Sequence, residues 1–441
     1  MIMRRWRVII LGAAGRDFHN FNTVYRNDKN TEVVAFTAAQ IPDIAGRTYP
    51  ASLAGALYPN GIRIEDEKKL EELIRTLGVD ECVLSYSDLS YDTVMHLASR
   101  VIGCGVKFSM LGKDQTAIKS TKPVVAVLAV RTGCGKSQTT RRVVEILKAA
   151  GKKVVSIRHP MPYGDLEKQR VQRYERIEDL TKHECTIEEM EEYEPHIAMG
   201  SIIYSGVDYA DILKEAEKEA DVIVWDGGNN DTSFYKADIT IVVADPYRAG
   251  HEMAYYPGEV NFRTADIIVI NKVDSADPEK VAAVEKNARE FNPTAKVVKA
   301  ESVLSVDKPE LVKGKNVLVI EDGPTLTHGE MKLGAGMVAA EKFGAGSYAD
   351  PCHYAVGTIR KTYEKYPHIG SLLPAMGYGK KQMQELEETI NKTPCDTVLI
   401  ATPIDLARFI KIEKPRAKVA YELSKEAAQE IKTIFRDRKL I

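Results

Sequence analysis

Apolar runs of four to seven residues recur along the chain, separated by stretches long enough to hold a helix, and most run without alternation. Uninterrupted runs of this kind predict strands buried on both faces, as in a mostly parallel sheet covered by helices. They begin at Arg7 (RVIIL), Glu32 (EVVAFTA), Glu81 (ECVL), Val106 (VKFSML), Val124 (VVAVLAV), Lys152 (KKVVSIR), Ala220 (ADVIVWD) and Ile239 (ITIVVAD). The series continues at Asp266 (DIIVINK), Ala295 (AKVVKA), Asn316 (NVLVIED), Thr397 (TVLIAT) and Ala417 (AKVAYEL). Stretches 280–291 and 382–391 have the amphipathic spacing of covering helices.

With 441 residues the chain exceeds one ordinary core. The predicted fold class is α/β: a Rossmann-like N-terminal domain over residues 1–120, then a larger phosphate-loop domain over 121–441 with a mostly parallel sheet. Pro123 marks the junction, because the residue before a proline is biased towards extended backbone.

The stretch from Val124 to Ile146 reads as strand, glycine loop, helix. Its loop, Thr132-Gly133-Cys134-Gly135-Lys136-Ser137-Gln138, has the composition that lets backbone N–H groups converge on a phosphate anion. In such a loop Lys136 reaches the β- and γ-phosphates and Ser137 sits on Mg²⁺. The usual first glycine is replaced by Val130, and the remainder resembles the variant loop of the ATPase and GTPase class that includes dethiobiotin synthetase and the nitrogenase iron protein. In that class a second cation often follows the first position, and Arg131 stands there.

Other strand ends carry chemistry because ligands of α/β sheets gather there. Asp226 closes a strand ahead of two glycines and is the expected second Mg²⁺ contact. Asn271-Lys272-Val273-Asp274 matches the guanine-recognition tetrad of GTPases, which puts Asn271, Lys272 and Asp274 at the base while leaving ATP and GTP both open. Arg158, His159 and Arg248 are candidates for holding an anionic substrate, with Arg16 and His19 of the first domain and His328 of the late polar loop. Lys168, Arg170 and Arg173 fit either an anion-binding helix or a solvated one.

Composition narrows the partners. A net charge of −2, with 28% charged residues mixed in sign, gives no reason to expect nucleic acid. No run is long enough to span a membrane and no signal-peptide pattern opens the chain, so a cytoplasmic protein is expected. The 6 cysteines form no Cys-x-x-Cys pair and are read as reduced thiols.

Taken in order, Gly12–Asn20, Val124–Ser137, Arg158-His159-Pro160, Asp226-Gly227-Gly228, Asp245–Glu252, Asn271–Asp274 and Glu321–Gly329 resemble the cyclic 2,3-diphosphoglycerate synthetase family of thermophilic and methanogenic archaea. That resemblance implies a ligase closing an intramolecular phosphoanhydride with ATP and Mg²⁺, releasing ADP and phosphate. Lys136, Arg131, Asp226, Arg158 and His159 would then carry catalysis. The alternatives are a GTPase or other phosphoryl-transfer enzyme acting on a different anion, and a nucleotide-switched assembly protein, which would ordinarily show a His- or Cys-rich tract. By analogy with variant-loop proteins a homodimer is expected.

Overall fold

The computed structural model describes residues 4–441 apart from 14, 40–43, 162–163, 229–230, 324–325, 327–333, 376–379 and 405. The strands divide among three main sheets. The first holds β1 (Trp6–Leu11), β2 (Thr31–Ala38), β3 (Thr48–Tyr49), β4 (Ile62–Asp66), β5 (Glu81–Leu84) and β7 (Lys107–Met110), in the order β3-β4-β2-β1-β5-β7. All its pairings are parallel except β3 with β4. Between β5 and β7, the short β6 (Leu89–Ser90) leaves this sheet to pair elsewhere.

The second sheet contains β8 (Val124–Ala129), β9 (Val154–Arg158), β10 (Val171–Tyr174), β11 (Ile202–Gly206), β12 (Val222–Asp226), β13 (Ile239–Ala244), β15 (Ile267–Ile270) and β16 (Lys296–Lys299). Its order is β10-β11-β9-β12-β8-β13-β15-β16, parallel except at the β10 edge. All six residues of β8 are buried, as are those of β12, which is why both read as unbroken apolar runs. In place of the helix considered for this stretch, Arg173 lies in β10 and Arg170 immediately before it. Those two arginines make surface pairs, with Asp211 at 2.5 Å and Glu219 at 2.8 Å.

The third sheet lies in the stretch expected to continue the second. It comprises β17 (Ser302–Val306), β18 (Asn316–Asp322), β19 (Ser347–Tyr348), β20 (Leu373–Ala375), β21 (Thr397–Ala401) and β22 (Arg416–Leu423), ordered β17-β22-β21-β18-β19 with β20 also on β18. The apolar runs here are indistinguishable in kind from those of the second sheet, so the sequence does not announce the division. The expected helices appear as Pro278–Phe291 and Lys380–Lys392.

Contacts join the sheets. The strand β14 (Tyr255–Tyr256) pairs antiparallel with β6, tying the first sheet to the loops beyond β13. The C-terminal helix, Lys425–Asp437, buries Ala427, Ile431 and Phe435 in the core of the second sheet. The six cysteines are free thiols, and among the described residues no helix is long and apolar enough to cross a membrane.

Candidate functional site

The phosphate loop leaves β8 and enters helix α1 (Lys136–Ala149) through Gly135, whose φ of 101° is left-handed. A Cβ there would stand 2.0 Å from the Asn271 side-chain nitrogen, so glycine is required both for the turn and for the close approach. The helix has no side-chain cap and no acid in its first turn. Its first N–H groups have no partner within the helix, and together with the helix dipole they favour an anion.

Below the loop a set of charged side chains fixes its backbone. Asn271 donates to the Cys134 carbonyl at 2.9 Å, and Lys272 donates to the Gly133 carbonyl and to Asp245, both at 2.8 Å. Arg248 donates to the Thr132 carbonyl at 2.7 Å and pairs with Asp245 at 3.2 Å. Asn271 and Lys272, expected at the nucleotide, therefore bear on the loop itself. Arg248, expected at the substrate, is half-buried against the loop backbone. Burial pushes the Cys134 thiol up to about 11, leaving it a packing group. Asp274 is exposed and accepts from the Ser302 N–H at 3.1 Å.

Arg131 is also differently placed. Its Nε donates to Asp88 at 2.6 Å, a terminal nitrogen donates to His251 Nδ1 at 2.7 Å, and its guanidinium lies 3.6 Å from the centre of the Tyr255 ring. Burial, then Arg131 and Arg248, lower the His251 imidazole to about 4, which keeps the ring neutral and able to accept. Asp88 also takes the Thr132 hydroxyl at 3.1 Å. Asp88, which lies between β5 and β6, thus holds the start of the loop through Arg131 and Thr132.

At the other end of the loop, Asp226 collects cations. It accepts from Lys136 at 2.5 Å and from the Thr140 hydroxyl at 3.1 Å, pairs with Arg158 at 3.2 Å, and faces His196 Nε2 at 3.5 Å. Burial works to raise its carboxyl, but Lys136 and Arg158 overcome burial and hold it well below the usual range. Lys136 is lowered by burial and by Arg158. Arg158 in turn donates to the Gly227 carbonyl at 2.9 Å and pairs with Glu192 at 2.6 Å.

His159, Arg16 and His19 belong to a separate buried group behind this site. His159 Nε2 lies 3.2 Å from Asp231, and Arg16 meets the same carboxylate at 2.8 Å while donating to the Thr116 hydroxyl at 3.0 Å. His19 stacks on Phe234 with 3.9 Å between centroids, and burial takes its imidazole down to about 3. The buried, neutral ring is bonded to the Thr116 carbonyl, and its stack on Phe234 links the first sheet to the loop after β12. These three expected site residues are brought together where the first sheet meets the segment after β12. His328 lies outside the described residues.

Sequence reasoning missed helix α2 (Ile187–Ala198), which faces Asp226 with His196 and Arg158 with Glu192. Its N-terminal capping box, Thr186 with Glu189, was visible. So was the spacing of Glu188, Glu192 and His196 along one face. Four glutamates in five residues suggest a solvated surface, yet Glu188 and Glu191 are each 5% exposed.

The model for the CobW/HypB/UreG nucleotide-binding domain matches residues 214–299. The chain is 59% identical over 434 residues to a protein of Thermococcus kodakarensis named arginine synthetase ArcE, covering 98% of this chain and 97% of that one. Among solved structures, LpxK from Aquifex aeolicus in complex with ATP shares 13% identity, covering 84% of this chain and 99% of that chain at a TM-score of 0.44. HypB from Archaeoglobus fulgidus shares 17% identity at a TM-score of 0.28, covering 41% of this chain and 81% of that chain. The near full-length likeness to a protein named for arginine synthesis overturns the expected ring closure of 2,3-diphosphoglycerate. In the structure Arg16, Arg131, Arg158 and Arg248, the arginines expected at anions, each pair with a carboxylate of the protein.

Proposed function

The chain belongs to the family of the arginine synthetase ArcE of Thermococcus kodakarensis, and from that premise we propose that it is a nucleotide-driven ligase that completes the guanidinium group of arginine. A phosphate loop supports phosphoryl transfer, and a guanidinium differs from a ureido group only in having nitrogen in place of oxygen. The chemically economical route is attack of a ureido oxygen on the γ-phosphorus with departure of the nucleoside diphosphate. Ammonia then attacks the activated carbon, the C–O bond breaks, and phosphate leaves. Citrulline is the ureido amino acid with the carbon skeleton of arginine.

The observation that carries this reading is the pairing at the loop's γ-phosphate end: Lys136 and Arg158 are both balanced by Asp226, and Arg158 leads on to Glu192. An acid-rich surround suits a neutral or cationic co-substrate better than a bisphosphate. Lys136 would exchange Asp226 for the γ-phosphate when nucleotide enters, and Arg158 would stay to hold the transferring group.

Mg²⁺ fits the same place, with Ser137 and Asp226 offering the two protein oxygens that such a site needs beside phosphates and water. Bound there, it would neutralise charge on the β- and γ-phosphates. The residues' own part is to position the phosphates along α1 and to exclude water with the buried faces of β8 and β12.

The test is incubation of the purified protein with citrulline, ¹⁵N-ammonium, Mg²⁺ and either ATP or GTP, followed by mass spectrometry. Arginine carrying one ¹⁵N, formed one for one with released phosphate, is expected. Nucleotide hydrolysis with no labelled arginine would reject the proposal.

A further inference from the structure

Asp226 uses its two carboxylate oxygens unequally. Lys136 at 2.5 Å, the Thr140 hydroxyl at 3.1 Å and Arg158 at 3.2 Å all converge on Oδ1. Oδ2 faces His196 Nε2 at 3.5 Å. A charge-assisted N–H to carboxylate bond is about 2.7–2.9 Å long, so the contact on this second oxygen is slack. When nucleotide enters, Lys136 leaves Oδ1 for the γ-phosphate, and the carboxylate loses one of the donors that fix its plane.

Packing does not explain a histidine at this position. His196 is 2% exposed, and its Nδ1 is buried with no hydrogen-bond partner among the described residues. An unpaired buried ring nitrogen costs free energy that an apolar side chain would not. What the imidazole offers in return is Nε2 towards Asp226. The helix also holds the ring firmly. Tyr193, three residues before, donates to the Ser205 hydroxyl of β11 at 2.9 Å, and Glu194 pairs with Arg408 at 2.7 Å. At the other end of α2, Ile187 is buried in the core of the third sheet. A side chain on a helix pinned to two sheets can fix the direction of a carboxylate.

We propose that His196 is a positioning residue for Asp226. As Lys136 turns to the γ-phosphate, Nε2–H closes on Oδ2 and keeps Oδ1 on the side of α1, where Lys136 and Thr140 meet it and where Mg²⁺ would bind. The ring acts through the carboxylate, touches no substrate and transfers no proton. The proposal rests on the phosphate-loop half of the proposed function and not on citrulline as the substrate. Carboxylates that hold metals depend on such second hydrogen bonds, whose loss typically weakens metal affinity by about 10–100-fold.

The experiment compares His196→Gln, whose amide nitrogen can stand where Nε2 does, with His196→Asn, whose amide is too short to reach Oδ2. Titration calorimetry of the full-length protein measures non-hydrolysable analogues of ATP and GTP with and without Mg²⁺. In His196→Asn the tightening by Mg²⁺ should fall at least tenfold while metal-free affinity stays within twofold of wild type. His196→Gln should retain most of the tightening. Full tightening in His196→Asn, or equal loss in both variants, overturns the proposal whether or not arginine is made.

A second measurement needs no variant to fold. In a crystal structure of the wild-type protein with Mg²⁺ and the analogue, His196 Nε2 should lie within about 3.0 Å of Asp226 Oδ2. A distance that stays at 3.5 Å or grows rejects the role. Where arginine is formed, kinetics add a split that a packing defect would not give: kcat at least tenfold lower in His196→Asn, with the KM for citrulline within twofold of wild type.

Discussion

At the scale of single residues, the central fact is that Asp226 satisfies two buried cations at once. Removing it leaves Lys136 and Arg158 uncompensated, so Asp226→Ala should cost about 3–5 kcal/mol of stability, measured by denaturant unfolding. Lys136→Met leaves Asp226 with Arg158, so it should unfold close to wild type while kcat falls at least a hundredfold. Glu321 makes an opposite case. It is 2% exposed, and burial raises its carboxyl to about 7 even though it accepts from the Met337 N–H at 2.9 Å. The folded state therefore binds this proton more tightly than the unfolded chain, whose glutamates titrate near about 4.3. By linkage the stabilisation from the protonated form is complete below that value and is lost as pH rises towards 7, by up to about 3 kcal/mol. Melting temperature measured from pH 4.5 to 7.5 should fall, and Glu321→Gln should flatten that slope. Lys136 and Ser137 stand where the loop's own spacing puts them, at the start of α1. Arg131, Arg248, His159, Arg16 and His19 were assigned to ligands because the partners they have in the fold, Asp88, the Thr132 carbonyl, Asp231, Thr116 and Phe234, come from positions that only the fold brings near.

At the scale of elements, the strand, loop and helix of the phosphate site were legible because each part is set by short-range rules. Six buried residues form β8, two left-handed glycines shape the turn, and α1 is amphipathic. What could not be read is that the Asn271-Lys272 turn is built into the loop's underside. Lys272 itself sits at a φ of 59°, a conformation few side chains adopt, and its ammonium reaches the Gly133 carbonyl from there. This makes Gly135→Ala a test of the element. The new methyl group would meet Asn271 while the backbone was held left-handed, a strain of about 1–2 kcal/mol before the clash is counted. We expect nucleotide affinity, measured by titration calorimetry, to drop more than tenfold, with far-ultraviolet circular dichroism unchanged. Asn271→Ala should weaken ATP and GTP by the same factor, because the side-chain nitrogen of Asn271 is already given to the Cys134 carbonyl and holds the loop that both nucleotides share. The helix α2 went unrecognised for a related reason. Its charge pattern is that of an exposed helix, and burial of its glutamates depends on a third sheet whose strands look from sequence like more of the second.

At the scale of the whole molecule, the first sheet is locked to the phosphate-loop sheet by a charged cluster with almost no water around it. Arg16 is 9% exposed and meets Asp231, the Thr116 hydroxyl and the Thr232 hydroxyl, while its guanidinium lies 4.5 Å from the centre of the Phe234 ring. Burial tends to raise the Asp231 carboxyl, but Arg16 and His159 hold it below its ordinary value. Arg16→Leu alone strands that carboxylate in an apolar setting and should cost about 3–5 kcal/mol, and Asp231→Leu alone should cost a similar amount. The double variant removes both charges and should recover most of the loss, since a buried ion pair exchanged for apolar groups is often neutral. Kinetics decide what the cluster is for. If Arg16 serves only to join the domains, the double variant recovers the KM for the amino-acid substrate along with its melting temperature. If Arg16 bound substrate, stability would return and KM would not. The geometry predicts the first outcome, because the guanidinium nitrogens of Arg16 are already given to Asp231, Thr116 and Thr232.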